Sequence, residues 1–389
     1  MKLLKYIRTF FIMKNETTKK IAIVYDWIDK WGGVERVLLT LHEMFPEAIF
    51  YTSYFNQQTA SWAKDLKIKT SFLQKFPDFI KKSRILSFIF YPFAFESFNF
   101  SEYNLVISVT SSFAKAIITQ PGTQHICYLL TPTRYLWSHK KNYLSNKLIN
   151  YFISGYLNMF KNWDLVASQR PDKIISISET IRDRCLKYYK RDSEVVYPGF
   201  DEEYWNNIKD QRFRLRQDFG GQAKIKNYFL VVSRLEPYKC VDLVVQSFNR
   251  LKYNLVIVGE GSQEDKLKQI AGKNIIFLSK LSDFELGNLY TNAQALIMPQ
   301  EEDFGYVSLE AQFFGCPVIT YKKGGATETV IDGKTGIFFN RQEEMSLVRA
   351  IERFSRIEYN LKSKVRKYGM KNIERFSKKR FVGNFLKIL

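Results

Sequence analysis

The segment QALIMPQEEDFGYVSLEAQFFGCPVITY, residues 294–321, decides the fold. QALIMP (294–299) and PVITY (317–321) are short apolar runs of the kind that form strands buried on both faces. Between them YVSLEAQFF reads as a helix, closed by Gly315 and Pro317. Strand, helix and strand in immediate succession predict a βαβ unit and a parallel sheet. The loop QEEDFG then lies at a strand's carboxyl end, where open α/β sheets bind ligands. Glu302 stands in that loop, and Glu310 on the second turn of the helix. A carboxylate in an apolar helix needs a partner, because burying it alone is costly. Ribose or sugar hydroxyls would serve, and so would a nearby Lys or Arg.

The same alternation extends in both directions. YFLVVSR (228–234), YNLVIVG (253–259) and NIIFLS (274–279) are further buried-strand candidates in this half. Upstream, IAIVYD (21–26), AIFYTSY (48–54), NLVISVT (104–110), HICYLL (125–130) and KIISIS (173–178) repeat the pattern, separated by amphipathic stretches such as VERVLLTLHEMF. VVYPGFDEEYW (195–205) interrupts with Pro198 and Gly199, which places a domain boundary there. The chain of 389 residues is also too long for one ordinary core. Two open α/β domains are expected, 20–199 and 200–389, with a ligand cleft between them.

Charge narrows the partners. The formal net charge is +20, with 28 Lys+Arg against 16 Asp+Glu through residue 200 (+12) and +8 in the remainder. Such a field favours nucleotide phosphates, nucleic acid or an anionic membrane. No RRM, KH or helix-turn-helix signature accompanies the charge, which argues against nucleic acid. Cys127, Cys185, Cys240 and Cys316 stand far apart and only three histidines occur, so reduced thiols in the core are expected, with neither a metal site nor a disulfide framework. Residues 1–19 contain an apolar run broken by Lys5 and Arg8. That run is too short to span a bilayer, and it reads either as an amphipathic membrane-surface helix or as an extension ahead of a true start at Met13.

Other strand ends carry candidate ligand groups. Gly32 and Gly33 precede a helix and would let a phosphate approach its N-terminus; a turn is the plain alternative. Arg234 and Lys239 flank Pro237 in the loop after 228–234 and would hold a diphosphate by charge-assisted hydrogen bonds. In VGEGSQED, Gly259 opens a tight turn that lacks the last glycine of a dinucleotide fingerprint. KKGGATETV (322–330) adds a second glycine pair, read as a possible turn beside the crevice.

Together, the E-x7-E spacing of Glu302 and Glu310, EDFGYVSLEAQFFGCPVITYKKGGATETV, SRLEPYKCVDL, YDWIDKWGGVERVL and VVYPGFD resemble the retaining glycosyltransferases of family 4, which have the GT-B fold of two Rossmann-like domains. HICYLLTPTRYLW is similar to the O-antigen mannosyltransferase subgroup. The resemblance implies roles. Arg234 and Lys239 would neutralise the diphosphate of the sugar donor and help the nucleotide leave. Glu302 would meet the donor sugar, beside the backbone of Phe304, Gly305, Tyr306 and Val307. Glu310 would hold the ribose, and Gly32, Gly33 and Gly259 would lie near the nucleotide. It further implies retention of configuration, no metal and no cofactor. GDP-mannose is the implied donor and a lipid-linked glycan the acceptor, at the inner face of the cytoplasmic membrane. The chain departs from the subgroup at Leu130, where a histidine is expected before TP; that departure bears on which sugar is used and whether transfer occurs. His125 and His139 are read as structural. Arg134, Tyr135 and Trp137 are candidates for lining the acceptor side, with packing as the plain alternative for Tyr135 and Trp137. A sugar-nucleotide epimerase or hydrolase, or a non-catalytic homologue, are the competing readings.

Overall fold

A computed structural model describes residues 20–84, 86–138, 147–214 and 227–389. The amino-terminal extension and His139 lie outside them. The chain divides into two compact units, Met1–Pro198 and Gly199–Leu389.

Each unit is built on one parallel sheet. The first has seven strands: β1 (Ile21–Tyr25), β2 (Ile49–Thr52), β3 (Lys67–Thr70), β4 (Leu105–Thr110), β5 (Gln124–Leu129), β6 (Lys173–Ser176) and β7 (Glu194–Val195). Their spatial order is β3-β2-β1-β4-β5-β6-β7. The second unit has β8 (Tyr228–Val232), β9 (Asn254–Val258), β10 (Ile275–Leu278), β11 (Leu296–Met298), β12 (Val318–Tyr321) and β13 (Gly336–Phe339), in the order β10-β9-β8-β11-β12-β13. Both are doubly wound, and the order reverses direction between β1 and β4 and between β8 and β11. The α/β expectation therefore holds for each half.

The sequence pattern gives five strands per half, whereas the structure has seven and six. The additional strands β3, β7 and β13 are all at sheet edges. β3, KIKT, alternates exposed lysines with half-buried residues. Lysines on an edge strand deter pairing with other chains, and they remove the apolar signature that marks a buried strand. Only two residues long, β7 is too brief to read at all. β13, GIFF, follows directly on the turn residues DGKT and reads as their tail.

The central strands are apolar because both faces are covered. Val106, Ile107, Val256 and Ile257 are fully buried. Around the first sheet the covering layer is strongly aromatic: Tyr91, Phe95, Phe100, Phe113 and Phe160 form one cluster. In the second unit the helix Val241–Leu251 packs Val244, Val245 and Phe248 against the sheet, and the long helix Glu344–Ile373 adds Leu347, Ile351 and Phe354. The unit's first residues pair with its last turn. Phe200 N donates to Phe376 O at 2.6 Å, and Lys378 N donates to Phe200 O at 3.0 Å. No helix of the described residues is long and apolar enough to cross a membrane.

Candidate functional site

The second unit's reversal point joins β8 to β11, and the two loops that leave their carboxyl ends meet there. Lys239 follows β8 and Glu302 follows β11. Their side chains form an ion pair, Nζ to Oε1 at 2.6 Å, with 11% and 15% of each side chain exposed. The Gln300 amide also donates to Glu302 Oε1. Burial raises the Glu302 pKa, but the Lys239 charge and the hydrogen bonds from Lys239 and Gln300 outweigh it, so the carboxylate is held below its ordinary range. It is an anion kept in place by its neighbours.

Arg234 is exposed on the same β8 loop. Its guanidinium lies 5.9 Å from the Tyr238 ring centroid, and Lys239 Nζ lies 5.6 Å from that same centroid. The two cations thus bracket one tyrosine. Tyr238 carries no sequence signal beyond its place in the loop. Pro237–Lys239 forms one 3-10 turn, and Cys240 ends it in the left-handed region at φ 52°.

Three glycines hold these loops by close backbone approach. Gly259 has φ 144°, and a Cβ there would sit 1.9 Å from Ser233 O, next to Arg234. A Cβ on Gly324 would lie 2.3 Å from Glu302 O, and one on Gly325 2.5 Å from Asp303 O. Gly325 N donates to Glu302 O at 2.7 Å. The structure thus gives Gly259 a scaffolding part beside the Arg234 loop. The glycine pair after β12 serves as a brace under the Glu302 loop, because only a residue without Cβ lets backbone meet backbone at these distances.

Gly305, at φ 89°, caps the helix Tyr306–Phe313. Beneath this helix runs a buried polar network. Ser308 Oγ donates to Gly305 O (2.7 Å), Gln312 Nε2 to Thr329 O (2.9 Å), and Asn372 Nδ2 to Gln312 Oε1 (2.8 Å). Glu310 is buried on this helix, and its Oε2 accepts from Tyr290 Oη at 3.0 Å. One partner of the buried carboxylate is therefore a tyrosine hydroxyl from the helix Asp283–Asn292, which no local pattern announces. Phe304 is buried against Phe376, and Tyr306 Oη donates to Gly199 O at 2.9 Å. Those side chains point into the unit, so at Phe304 and Tyr306 a ligand would meet backbone. Val307 is half-buried.

In the first unit, Gly32 and Gly33 begin the helix Gly33–Met44. The two differ. A Cβ on Gly32 would lie 3.0 Å from Glu35 Oε2, whereas a Cβ on Gly33 would meet nothing within 4 Å. Gly32 makes room for a buried carboxylate. Burial raises the Glu35 pKa to about 7, against a lowering from hydrogen bonds that include Tyr25 Oη at 3.4 Å. Asp26, after β1, binds the loop after β4: its carboxylate accepts from Phe113 N and Ala114 N, both at 2.8 Å.

The acceptor-side candidates form one short helix, Arg134–Trp137, after β5. Tyr135 packs against Phe88 and its hydroxyl meets Ser112 Oγ. Trp137 Nε1 donates to Asp164 Oδ2 at 2.7 Å. Asp164 also takes the buried Lys115 ammonium at 2.6 Å and the Tyr189 hydroxyl at 2.9 Å. The polar tips of Tyr135 and Trp137 bond inside the unit, and both residues are half-buried. Arg134 is half-buried. Leu130 is buried at the end of β5, with its N–H on Thr110 O at 2.8 Å. His125 is fully buried against Ser108 Oγ at 2.8 Å, and burial lowers its pKa to about 3. The four cysteines are free thiols, three of them buried. Among the described residues no three His, Cys, Asp or Glu side chains group as a metal ligand set.

Comparison with known proteins gives this geometry a family context. Residues 214–372 match the family described as Glycosyl transferases group 1. An uncharacterized glycosyltransferase of Methanocaldococcus jannaschii is 27% identical over 55% of this chain and 56% of its own length. This chain thus spans about half the length of that relative. An alpha-1,3/1,6-mannosyltransferase, ALG2, of Candida glabrata is 24% identical over 80% of this chain and 78% of its own. Among solved structures, the Anabaena protein HepE in complex with UDP-glucose has a TM-score of 0.68 at 17% identity, covering 95% of this chain and 100% of that one. The fold is therefore GT-B in type, and residues 214–372, the part that matches Glycosyl transferases group 1, hold Arg234, Lys239, Glu302 and Glu310.

Proposed function

We propose that this chain is a metal-independent, retaining glycosyltransferase whose second unit binds a nucleotide-sugar donor. The observation that carries the proposal is the Lys239–Glu302 pair at the reversal point of the second sheet, bracketed with Arg234 around Tyr238. Ligand sites of doubly wound sheets lie at this point. Two cations there suit a diphosphate, and an adjacent fixed carboxylate suits sugar hydroxyls. In the proposed step the bond from the anomeric carbon to the diphosphate oxygen breaks, and its electron pair leaves with the nucleotide. An acceptor hydroxyl forms the new glycosidic bond on the same face and passes its proton to the departing phosphate oxygen. Arg234 and Lys239 stabilise the charge that develops on the leaving group. Glu310 takes the ribose. Gly33, which needs no glycine for packing or backbone conformation, leaves the start of its helix open to a phosphate.

GDP-mannose is the proposed sugar donor, by resemblance of the sequence to mannosyltransferases and by the match to ALG2. The proposed acceptor is a lipid-linked glycan of a bacterial surface polysaccharide, met at an anionic membrane. Thermal unfolding with GDP, UDP, ADP and their sugar forms tests the first part. A ligand at a hundred times its dissociation constant adds about 2.7 kcal/mol. GDP-mannose should raise the midpoint, and Arg234→Ala should remove most of that rise. A folded protein indifferent to every nucleotide overturns the proposal. Binding without sugar transfer to any acceptor would instead favour the non-catalytic reading that Leu130 motivates.

A further inference from the structure

Gln300 stands just past the end of β11, and only 3% of it is exposed. The backbone there is tied down. Pro299 O accepts from Gln342 Nε2 at 2.9 Å, and the same nitrogen lies 3.5 Å from Cys240 Sγ, next to Lys239. One side chain thus links the end of β11 to the β8 loop. From this place the Gln300 amide nitrogen donates to Glu302 Oε1, the oxygen that also takes Lys239 Nζ. The opposite setting of the amide would press its carbonyl against the carboxylate, oxygen to oxygen, so the nitrogen is held toward Glu302. Gln300 Oε1 is left buried with no hydrogen-bond partner among the described residues.

That arrangement is unfavourable for a residue that only fills space. A buried carbonyl without a donor costs stability, and a methionine would fill the same place without one. What the amide alone supplies is an N–H for the carboxylate. In the structure Lys239 supplies a second. In the transfer proposed above, however, that ammonium turns to the diphosphate, whose charge competes with a single carboxylate. Gln300 is neutral and buried, so the diphosphate does not draw it away. We infer that Gln300 is a positioning residue: its amide nitrogen keeps the Glu302 carboxylate in place for the sugar hydroxyls once the diphosphate has drawn Lys239 off. The inference rests on the donor-site reading above, and adds to it a residue that need not touch the donor.

The charged groups around Glu302 are Lys239 from the β8 loop, Asp303 beside it, and the Glu301–Lys323 pair at 2.9 Å. Burial raises the Glu302 pKa; Lys239 and then Gln300 lower it, and Asp303 adds a smaller rise. With Lys239 engaged elsewhere, loss of the Gln300 N–H should let this carboxylate take up a proton at higher pH.

Calorimetric titration with GDP and GDP-mannose, and with UDP and UDP-glucose, gives the affinity of each sugar form relative to its bare nucleotide. Gln300→Met should lower that ratio by about tenfold, the worth of one hydrogen bond to a charged group, and leave the bare nucleotide's affinity unchanged. Gln300→Glu has the same shape but sets a like charge beside Glu302, and should lower the ratio further at pH 7. As pH is lowered, the ratio should fall earlier in Gln300→Met than in the unaltered protein. Denaturant unfolding of ligand-free Gln300→Met should change little. A ratio unchanged in both variants overturns the inference. So does an equal loss of affinity for nucleotide and sugar form, or a loss of stability with the ratio kept, since either makes Gln300 a structural residue only. Indifference of the unaltered protein to all four ligands overturns the donor-site reading itself, a result distinct from the others.

Discussion

Lys239 and Glu302 illustrate how much a single contact decides. Both are largely out of water, so each charge is offset mainly by the other. Removing one partner of a buried pair leaves the other uncompensated. Lys239→Met should therefore destabilise the second unit by ~2–3 kcal/mol, read from denaturant unfolding at pH 7, after discounting for partial exposure. The pH dependence has a definite sign. Glu302 titrates below its ordinary 4.5, so its contribution is present above that value and is lost as pH falls through its lowered folded pKa. Lys239→Met should flatten this acid limb. Glu35 runs the other way. Its folded pKa is about 7 against an ordinary 4.5, so the unfolded chain releases this proton first. Stability is fully present below pH 4.5 and falls until about pH 7. Glu35→Gln keeps an acceptor for Tyr25 and should gain up to about 3 kcal/mol near pH 8 with little change at pH 4. Equal stability of the two proteins at both pH values would show that Glu35 is charged without cost.

Among the elements, the loops after β8, β9 and β11 behave as one assembly. Leu235 N donates to Glu260 O at 2.9 Å and Gln263 N to Leu235 O at 2.9 Å, so the β9 loop carries the β8 loop. Gly259→Ala forces a Cβ into Ser233 O and should cost about 3 kcal/mol. It should also abolish nucleotide-induced stabilisation, although Gly259 need touch no ligand. A variant that keeps the full ligand shift would detach this loop from the site. Much of this assembly was readable: the strand runs, the helix 306–313 with Glu310 on it, and the placement of Arg234, Lys239 and Glu302 at strand ends all follow from apolar periodicity and from Gly and Pro punctuation. Gln300 lay in plain view beside Glu302 without a signal, since an amide at a strand end has many uses. Tyr290 was out of reach, because its contact with Glu310 spans 20 residues of chain. Tyr135 and Trp137 show the opposite problem. Aromatic residues at a strand end suit either a ligand or a core, and their contacts with Phe88 and Asp164 are long-range ones that no local pattern announces.

For the whole molecule the dominant fact is charge. At +20 the folded chain repels itself, and screening should relieve part of that repulsion. The thermal midpoint should therefore rise by several degrees between ~0.05 and ~0.3 M sodium chloride, a range over which the Debye length falls from above to below ~10 Å. A midpoint independent of salt would mean that local pairs such as Lys115–Asp164 already balance the field.

The sequence by itself determined that the chain forms two parallel-sheet halves divided near Pro198, because buried strands and amphipathic helices are local patterns of side-chain polarity. It determined which residue types stand at the strand ends. Strand order was decided only by the tertiary structure. Nothing local states that β8 lies beside β11 and not beside β10, yet that adjacency makes a reversal point and brings Lys239 to 2.6 Å from Glu302 across 63 residues of chain. Order in a sheet is fixed by which apolar faces cover one another, a long-range choice that no short stretch of residues contains.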